Sequence, residues 1–581
     1  MSNQRTIPSE APKSVCTYTI LSEGNEVSRT HHVLSIIVNK EVNRIPSATL
    51  LMLDGDPAKE SFEISNKIDF EPGKKIEIKA GYRSEEETIF KGIVIKHGIK
   101  VRKNNSILMI ECKDEAVKMT GSCKNKYFKE VKDSDVLDEI IGTYGLQKDV
   151  TATSVTHKEI VQYNTTDWDL MLCRVEVNGM LCISDDGKIK VDKPDFSSSP
   201  ALTVQYGATI HDLDAEIDAR LQFKAVKAEA WNFADQELTS VDALDPGVPE
   251  AGNLTSDALA GIIGEDHFQL QHSGKISEQE LQQWADAKFL KNKLAKVRGR
   301  VTTDGTAAVK PGNLIQLNGI GERFEGKLFV TGVRHQIDKG NWETTFQFGL
   351  NPEWFTQTYN VQQPLSGALL PAIQGLQIGV VTKLEGDPDG EDRIMVRLPN
   401  IDKDDEGIWS RISTLDAGNK RGTFFRPEIE DEVIVGFINN DPRHAVILGM
   451  CNSSKKPAPL TATDDNHEKG YVSRSEMKLI FNDDKKTIKI ETPGGNKIVI
   501  SEDEKAINME DQNGNKFTMD KDGVKIESIK DIVLKAATDI KAEGVNVNVK
   551  GSAQAKIEGS SGAEISSSGS TTVKGSIVQI N

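Results

Sequence analysis

The chain has 581 residues, 27% of them charged, and a formal net charge of −17 at pH 7. A chain of this length is typical of about three to five domains, each with a substantial core. The acidic balance disfavours a nucleic-acid backbone or an anionic membrane surface as a partner, and no apolar run is long enough to cross a bilayer.

Two further features of the composition bear on location and chemistry. The first fourteen residues lack the apolar stretch of a secretory signal peptide, so we expect a protein that is made in the cytoplasm and exported, where it is exported, without Sec. The cysteines form no C-x-x-C pair and have no histidine at zinc-like spacing. This predicts free, inert thiols at Cys16, Cys112, Cys123, Cys173, Cys182 and Cys451.

The first part of the chain alternates between β-rich and mixed stretches. Residues 15–120 contain β-rich runs bounded by Gly, Pro and Asn, which predicts a small barrel or sandwich. The pattern then becomes mixed up to residue 179, with a helix predicted to start at Asp133. A second helix is predicted to start at Thr166, which forms a capping-box-like pair with Asp169.

Residues 200–350 predict a second β domain, interrupted by a helix whose start is marked by Ser277 and Glu280. A linker, residues 365–375, leads into residues 376–452, where five short strands are typical of an OB-like barrel. A polar connector over residues 453–470 follows, and the C-terminal segment begins at Tyr471.

The C-terminal segment contains a repeat of eight residues. Within a unit the alternation has a period of two, as from Val545 to Val549, which predicts strand. From residue 549 a small residue, usually glycine, follows the aliphatic one two positions later, as at Gly551, Gly559 and Gly575, where it would allow a corner. The aliphatic residues of the repeat, with one slip of one residue, are Val524, Ile532, Ile540, Val549, Ile557, Ile565 and Val573.

A solenoid with one inward aliphatic residue per short strand cannot cover that residue within a single copy. Three copies wound around one axis would bury these side chains, each worth about 1.5–3 kcal/mol. Two alternatives are a single-chain parallel β-helix, whose coils usually need about twenty residues, and a polar disordered tail. Disorder does not require an aliphatic residue at every eighth position, so the three-chain prism is favoured.

Two clusters of acidic residues were considered as sites. The run from Asp387 to Asp392 resembles a calcium loop but lacks the glycine and glutamate spacing of an EF-hand, so a hairpin turn is favoured. His211, Asp214 and Glu216 could form a carboxylate pair for hydrolysis, but a solvated acidic strand edge is favoured. The sequence therefore predicts no catalytic residue, no metal site and no cofactor.

Several motifs resemble a known family. They are Asp387-Pro-Asp-Gly390, Arg393-Ile-Met-Val-Arg-Leu-Pro399, Ile408-Trp-Ser-Arg411, Asp431-Glu-Val-Ile-Val-Gly436, the segment Tyr163–Asp169 and the ending Val573–Asn581. Together with the octads they resemble VgrG, the spike of type VI secretion and of related contractile injection systems, which is similar to the hub and cell-puncturing proteins of contractile phage tails.

The resemblance implies a mainly β fold and a homotrimer. It implies a phage-hub-like domain at 1–364 with two β-barrels and small α/β insertions, the linker 365–375 and an OB-fold domain at 376–452. The linker 453–470 and an intertwined triple-stranded β-helix needle, or β-prism, at 471–581 complete the chain. In this needle the aliphatic residues of the octads form the trimer core, and the glycines form the prism corners.

The resemblance further implies a non-enzymatic spike that joins the inner tube to the puncturing tip and pierces the target membrane when a sheath contracts. Its partners would be a hexameric inner-tube protein at the hub end, baseplate proteins and a PAAR-type tip protein, with room for effector cargo. The tip protein would bind at Ile577, Val578, Ile580 and Asn581. Other possible functions are a tail-spike-like polysaccharide-degrading enzyme and an adhesin shaft.

Overall fold

The computed structural model describes residues 15–103 and 105–580. It falls into two compact units, one formed by 15–374 with 438–442 and the other by 375–437 with 443–580. Each unit is mainly β. The fourteen N-terminal residues, on which the prediction about a signal peptide rests, and Asn581, predicted at the tip, lie outside the described residues.

The strands of the first unit are β1 Cys16–Ser22, β2 Asn25–Glu26, β3 Val33–Glu41, β4 Ser47–Leu53, β5 Lys75–Tyr82, β6 Glu85–Val101, β7 Ser106–Lys113, β8 Cys123–Lys132, β9 Gln147–Val150, β10 Thr156–Thr166, β11 Leu181–Asp185, β12 Lys188–Asp192, β13 Leu202–Gln205, β14 Asp212–Ile217, β15 Ala225–Asn232, β16 Glu237–Asp242, β17 His267–His272, β18 Val297–Asp304, β19 Leu314–Asn318, β20 Gly326–Asp338 and β21 Asn341–Phe348. The helices are α1 Asp133–Thr143, α2 Asp167–Val177, α3 Ser256–Ile263, α4 Glu278–Leu294 and α5 Phe355–Thr358. Short 3-10 helices span Ile68–Phe70, Glu115–Thr120, Ala219–Leu221 and Leu365–Ala368.

One continuous sheet runs through the first unit in the order β14-β18-β21-β20-β3-β4-β7-β6-β5-β1-β2, and β19 and then β13 extend from β20. In β4, side chains alternate between the two faces, so that Ala48, Leu50 and Met52 are buried. One core lies under β1 to β7 and another under β18 to β21. The two β domains predicted from the sequence thus share a ladder, in which β3 and β20 pair antiparallel.

A mixed module lies between β8 and β12, where α1 and α2 share a core with the β8–β10 ribbon and the β11-β12-β9 sheet. The predicted start of α2 is confirmed, since Thr166 Oγ1 accepts a hydrogen bond from the backbone N–H of Asp169 at 3.1 Å. The predicted start of α1 is also confirmed. Asp133 itself is fully buried and binds Arg174 rather than its own helix terminus.

A second insertion contains the β16-β15-β17 sheet, and α4 packs on it. The helix starts where the sequence predicts, because Ser277 Oγ accepts a hydrogen bond from the N–H of Glu280 at 3.2 Å. This capping satisfies one of the free donors of the first turn.

The second unit begins with a closed barrel in the order β22-β23-β24-β28-β27, which confirms the predicted OB-like strands. Its core contains Val381, Ile394, Val396, Val433 and Val435. The strands, including the small hairpin β25–β26, are β22 Gln377–Lys383, β23 Ile394–Arg397, β24 Ile408–Ile412, β25 Ala417–Gly418, β26 Arg421–Gly422, β27 Glu432–Phe437 and β28 Ala445–Met450. A 3-10 turn that follows β27 in the chain, Ile438–Asn440, belongs to the first unit.

An antiparallel meander follows the barrel, and each strand pairs with the next one in the chain. Residues 471–527 are predicted as part of the needle, and within one chain they form these hairpins rather than a solenoid. The strands are β29 Glu468–Val472, β30 Lys478–Asn482, β31 Thr487–Glu491, β32 Lys497–Ser501, β33 Ala506–Glu510, β34 Lys516–Asp520 and β35 Gly523–Glu527.

Residues 528–580 differ from the strands predicted there. Among these described residues none belongs to a hydrogen-bonded strand, including Val545–Val549. A strand requires a neighbour with which its N–H and C=O groups pair, and this segment has none among the described residues of its own chain. The backbone instead bends at regular intervals, at 529–530, 537–538, 545, 552–553, 560–561, 568–569 and 576–577.

Candidate assembly surface

The β29–β35 sheet has one face that is almost wholly apolar. Neighbouring strands are in a register that aligns apolar residues in rows across the sheet. One row, from β30 to β35, is Leu479, Ile490, Ile498, Met509, Phe517 and Ile526. A second row on the same face is Phe481, Ile488, Ile500, Ile507, Met519 and Val524.

The opposite face has a row in which the sign of the charge alternates from strand to strand: Lys478, Glu491, Lys497, Glu510, Lys516 and Glu527. Glu510 accepts from Lys497 at 2.9 Å and from Lys516 at 3.2 Å. These two hydrogen bonds lower the pKa of the Glu510 carboxyl below its usual value. Opposite charges across a strand pair favour this register over a shifted one.

In a sheet that packs on a core, the apolar face is buried and the charged face is exposed. In this sheet the apolar face is the more exposed one. Ile490, in the middle of the apolar face, is 47% exposed, whereas Glu491 and Lys497 on the charged face are half-buried. Within the described strands β29 to β35 only Ser501 is buried. An exposed apolar patch of this extent marks an interaction surface.

The predicted trimer-core positions continue this exposed apolar surface toward the C-terminus. Ile557 is 79% exposed, although a side chain of this kind is normally buried. The other predicted core residues, Val524, Ile532, Ile540, Val549, Ile565 and Val573, and the predicted tip residues Ile577, Val578 and Ile580, are also exposed.

The regular bends reveal a register that the sequence pattern obscures. Val549, Ile557, Ile565 and Val573 each stand three residues before a bend, whereas Val524, Ile532 and Ile540 stand five residues before one. The residues three before the earlier bends are Ile526, Leu534 and Ala542. Positions two apart share a face where a chain is extended, so we expect both sets to lie on one side.

Sequence reasoning therefore missed Ile526 and Leu534 as equivalents of Val549. The residue directly before each bend is always small: Ser528, Ala536, Gly544, Gly551, Gly559, Ser567 and Gly575. The small residue, rather than the aliphatic one, is the signal that would have found the register. Counted from one such small residue to the next, no repeat has nine residues, and every repeat has eight except the one of seven from Gly544 to Gly551.

At the predicted corner glycines, lack of space for a side chain, rather than backbone freedom, is the constraint that the structure shows. Neither Gly551 nor Gly559 has a positive φ, so backbone freedom is not what selects them. A Cβ at Gly551 would lie well inside van der Waals contact with the carbonyl oxygen of Gln554, and one at Gly559 would meet that of Gly562 in the same way. At Gly575 the nearest carbonyl oxygen, of Ile577, is 3.1 Å from such a Cβ.

The acidic clusters considered from the sequence have structural partners. Asp387 accepts from Arg393 at 2.5 Å and from backbone N–H groups of Asp389 and Glu391, and the Arg393 hydrogen bonds hold its pKa well below the usual range. This arrangement is the predicted turn. Asp214 and Glu216 on β14 pair with Arg300 at 2.7 Å and Arg298 at 3.1 Å.

Metal ligands, membrane-spanning helices and reactive thiols are the other features of the described residues that bear on function. No group of three or more His, Cys, Asp and Glu side chains there is placed to hold a metal ion, and no helix there could span a membrane. The six thiols are free. Burial raises the pKa of Cys112 to about 12, which keeps that thiol protonated and unreactive.

A family model described as the Alg8 N-terminal domain matches residues 12–339, which is more than half of the 581-residue chain. The chain belongs to this family. A second model, described as the type VI secretion system/phage-baseplate injector OB domain, matches residues 377–451, the segment that contains the closed barrel.

Curated relatives agree with the second of these matches. The chain is 22% identical over 61% of its length to the type VI secretion system spike protein VgrG1b of Pseudomonas aeruginosa, of which it covers 50%. It is 29% identical over 24% of its length to the actin cross-linking toxin VgrG1 of Vibrio cholerae, of which it covers 13%. The chain thus spans half or less of these relatives.

Among solved structures, the chain is similar to an Escherichia coli component of the type VI secretion system that itself has structural similarity to T4 bacteriophage tail proteins. The TM-score is 0.39 at 13% identity, over 74% of this chain and 99% of that one. The resemblance to VgrG-type spike proteins, inferred from the motifs, is confirmed by the injector OB-domain match and by the curated relatives, and these findings support a structural role.

Proposed function

We propose that this protein is a non-enzymatic, homotrimeric spike of a contractile injection machine, and that residues 471–581 form its needle. The observation that carries the proposal is the uncovered apolar surface that extends from the β29–β35 sheet through the octads. Two sister copies, each presenting the same surface toward a common axis, would cover it. The charged row would then lie on the outside of the prism.

Strand pairing between copies would make such a rod resist bending. Residues 528–580 bend at regular intervals and have no strand partner among the described residues of the chain. In a three-chain prism each short strand pairs with strands of the other two copies, so that no edge remains open. Val524, Ile532, Ile540, Val549, Ile557, Ile565 and Val573 form the core, and the small residue before each bend, including Gly551, Gly559 and Gly575, forms a corner.

The remaining partners follow from the VgrG-type resemblance. The hub, residues 1–364, meets a hexameric inner-tube protein and baseplate proteins, while a PAAR-type protein binds the C-terminal end at Ile577, Val578, Ile580 and Asn581. The spike assembles in the bacterial cytoplasm and is carried out of the cell, or into its target, when the sheath contracts. Effector cargo would travel with it.

The polysaccharide-degrading alternative requires two carboxylates that flank a bond in a groove. The carboxylates between 545 and 580 are Glu558 and Glu564, and Glu558 is paired with Lys556. This arrangement does not favour the enzyme.

Native mass spectrometry of the full chain tests the proposal. We expect a trimer and, in negative-stain micrographs, a slender projection at one end of the particle. A folded monomer at micromolar concentration would overturn the proposal, since the apolar surface would then be stable in water without sister copies.

A further inference from the structure

A short hairpin arm projects from the OB barrel between β24 and β27. It comprises residues 413–426, and its ladder consists of Ala417 paired with Gly422 and Gly418 paired with Arg421. Asp416 pairs with Arg421 at 2.8 Å within the arm. A hairpin with so short a ladder is marginal in water unless something packs against it.

Two large apolar side chains, one before and one after the ladder of this arm, are almost fully exposed. Leu415 is 95% exposed and Phe424 is 82% exposed. The two segments that carry these side chains are joined next to them, since Thr414 Oγ1 donates a hydrogen bond to the carbonyl oxygen of Thr423 at 2.7 Å. An exposed Leu–Phe pair presented on a preformed hairpin is typical of a contact surface.

The base of the arm is anchored, so that the arm has a defined direction. The Phe425 ring packs on the Tyr471 ring of β29 with 4.6 Å between centroids. Glu428 accepts from Arg474 at 2.8 Å, and Arg426 pairs with Asp392. The arm is therefore tied to the start of the apolar sheet at its base and exposed at its tip.

The same barrel carries a loop of complementary character. Ile401 is 69% exposed and is followed by Asp402, Lys403, Asp404, Asp405 and Glu406, four carboxylates and one cation. The arm has the opposite balance, with Lys420, Arg421 and Arg426 against Asp416. Among the described residues of one chain, no hydrogen bond or ion pair joins the arm to this loop. The Lys420 ammonium group forms no hydrogen bond or ion pair with any of these residues.

We infer that the 413–426 arm of one copy docks on the 401–406 loop of the neighbouring copy, with Leu415 and Phe424 against Ile401 and Lys420 among the loop carboxylates. The inference rests on the proposed homotrimer. Arm and loop are different patches of one surface, so the contact is head-to-tail, and such a contact closes into a ring when the rotation between copies allows it. Three such contacts form a collar of barrels above the needle.

Cysteine cross-linking in the full chain tests this contact. The two exposed cysteines are first removed by Cys123→Ser and Cys451→Ser. Ile401→Cys and Phe424→Cys are then introduced together, and the purified variant is treated with a short bismaleimide. We expect covalent dimers and trimers on a denaturing gel. Each single substitution alone should give no covalent trimer, because no copy would then hold both partners of the ring.

Three other outcomes have separate meanings. A native trimer without cross-linked species overturns the docking contact and leaves the trimeric spike intact. Cross-linking only within single chains also overturns it, since the arm would then fold onto its own loop. A native monomer overturns the proposed function itself, and the docking contact falls with it.

A charge-reversal pair provides an independent test. Lys420→Glu or Asp404→Lys alone should lower the yield of cross-linked trimer several-fold at low salt, and the two together should restore it. Asp404 is suited to this test because its carboxylate pairs only with the adjacent Lys403, at 3.4 Å. Equal yields from the single and double variants would overturn the predicted pairing.

Discussion

Lys497 and Glu510 face each other across β32 and β33 with 2.9 Å between Nζ and Oε2, at the centre of a row in which every neighbour has the opposite charge. Because the chain runs back and forth, each strand contributes one charge, and a shift of one strand by one residue would place the charge on the apolar face. The alternation of charge along this row therefore requires the observed register between the strands of the meander.

Reversing one charge in this row should weaken the sheet. Lys497→Glu places three carboxylates in succession, at 491, 497 and 510. We expect the melting temperature of the full chain to fall by about 2–4 °C, with most of the loss removed by high salt, which screens exposed charges. Lys485→Glu, in the turn between β30 and β31, is the control. An equal fall for both would show that the row has no special role.

A charge on the proposed axis should block assembly. Ile565→Asp would bring three carboxylates together where no water or cation reaches them, and buried charges without partners are costly. We expect this variant to elute as a monomer or aggregate in size exclusion with light scattering. Ser566→Asp, at the next position and on the opposite face, should remain trimeric. A trimer of normal mass for Ile565→Asp would contradict the packing.

The corner geometry predicts a contrast between two nearby glycines. Gly559→Ala puts a methyl group against the carbonyl oxygen of Gly562, whereas a Cβ at Gly562 meets no atom within 4 Å. We expect Gly559→Ala to lower needle stability by about 1–3 kcal/mol per copy and to speed proteolysis of the needle. Gly562→Ala should leave both unchanged. The opposite order would exclude close approach as the reason for the glycine.

A buried ionic cluster in the hub predicts acid sensitivity. Burial by itself would raise the pKa of Asp133, but hydrogen bonds from His157 at 3.1 Å, Arg174 at 2.5 Å and Asn178 at 2.8 Å outweigh it and hold the pKa well below the usual range. A carboxyl group whose pKa is depressed in the folded state stabilises the fold above its unfolded pKa of about 3.9. That stabilisation is lost as pH falls toward the folded pKa.

Asp133→Asn should therefore lower the free energy of unfolding of the hub by about 1.5–3 kcal/mol at neutral pH, because the half-buried Arg174 guanidinium loses a charged hydrogen-bond partner and keeps Glu280, at 3.1 Å, as its charged partner. The difference from the natural protein should shrink as pH falls below about 4. Chemical denaturation at several pH values measures this. Asp138→Asn on the same helix removes only a part-exposed pair with Lys148 and serves as the control.

The sequence predicted the barrel strands and helix starts because their signals are local. Alternation around Val433 and Val435 specifies a strand with one buried face, and Thr166 and Ser277 act within their own first turns. The meander was not separated from the needle, since pairing such as Lys497 with Glu510 depends on the register between strands. The register of the bends was obscured in the same way. Ile532 is as aliphatic as Leu534, and it is Leu534 that occupies the position of Val549 relative to its bend.

The reversed exposure of the β29–β35 sheet also bears on how the protein is produced in a cell. A newly synthesised copy presents two rows of apolar side chains on a flat strand surface, together with an unpaired tail. Surfaces of this kind associate readily with one another and with the wrong partners. If copies of a homotrimer meet only after release from the ribosome, synthesis that outpaces trimerisation would divert them into aggregates. The rate at which released copies meet would then limit the yield of assembled trimer.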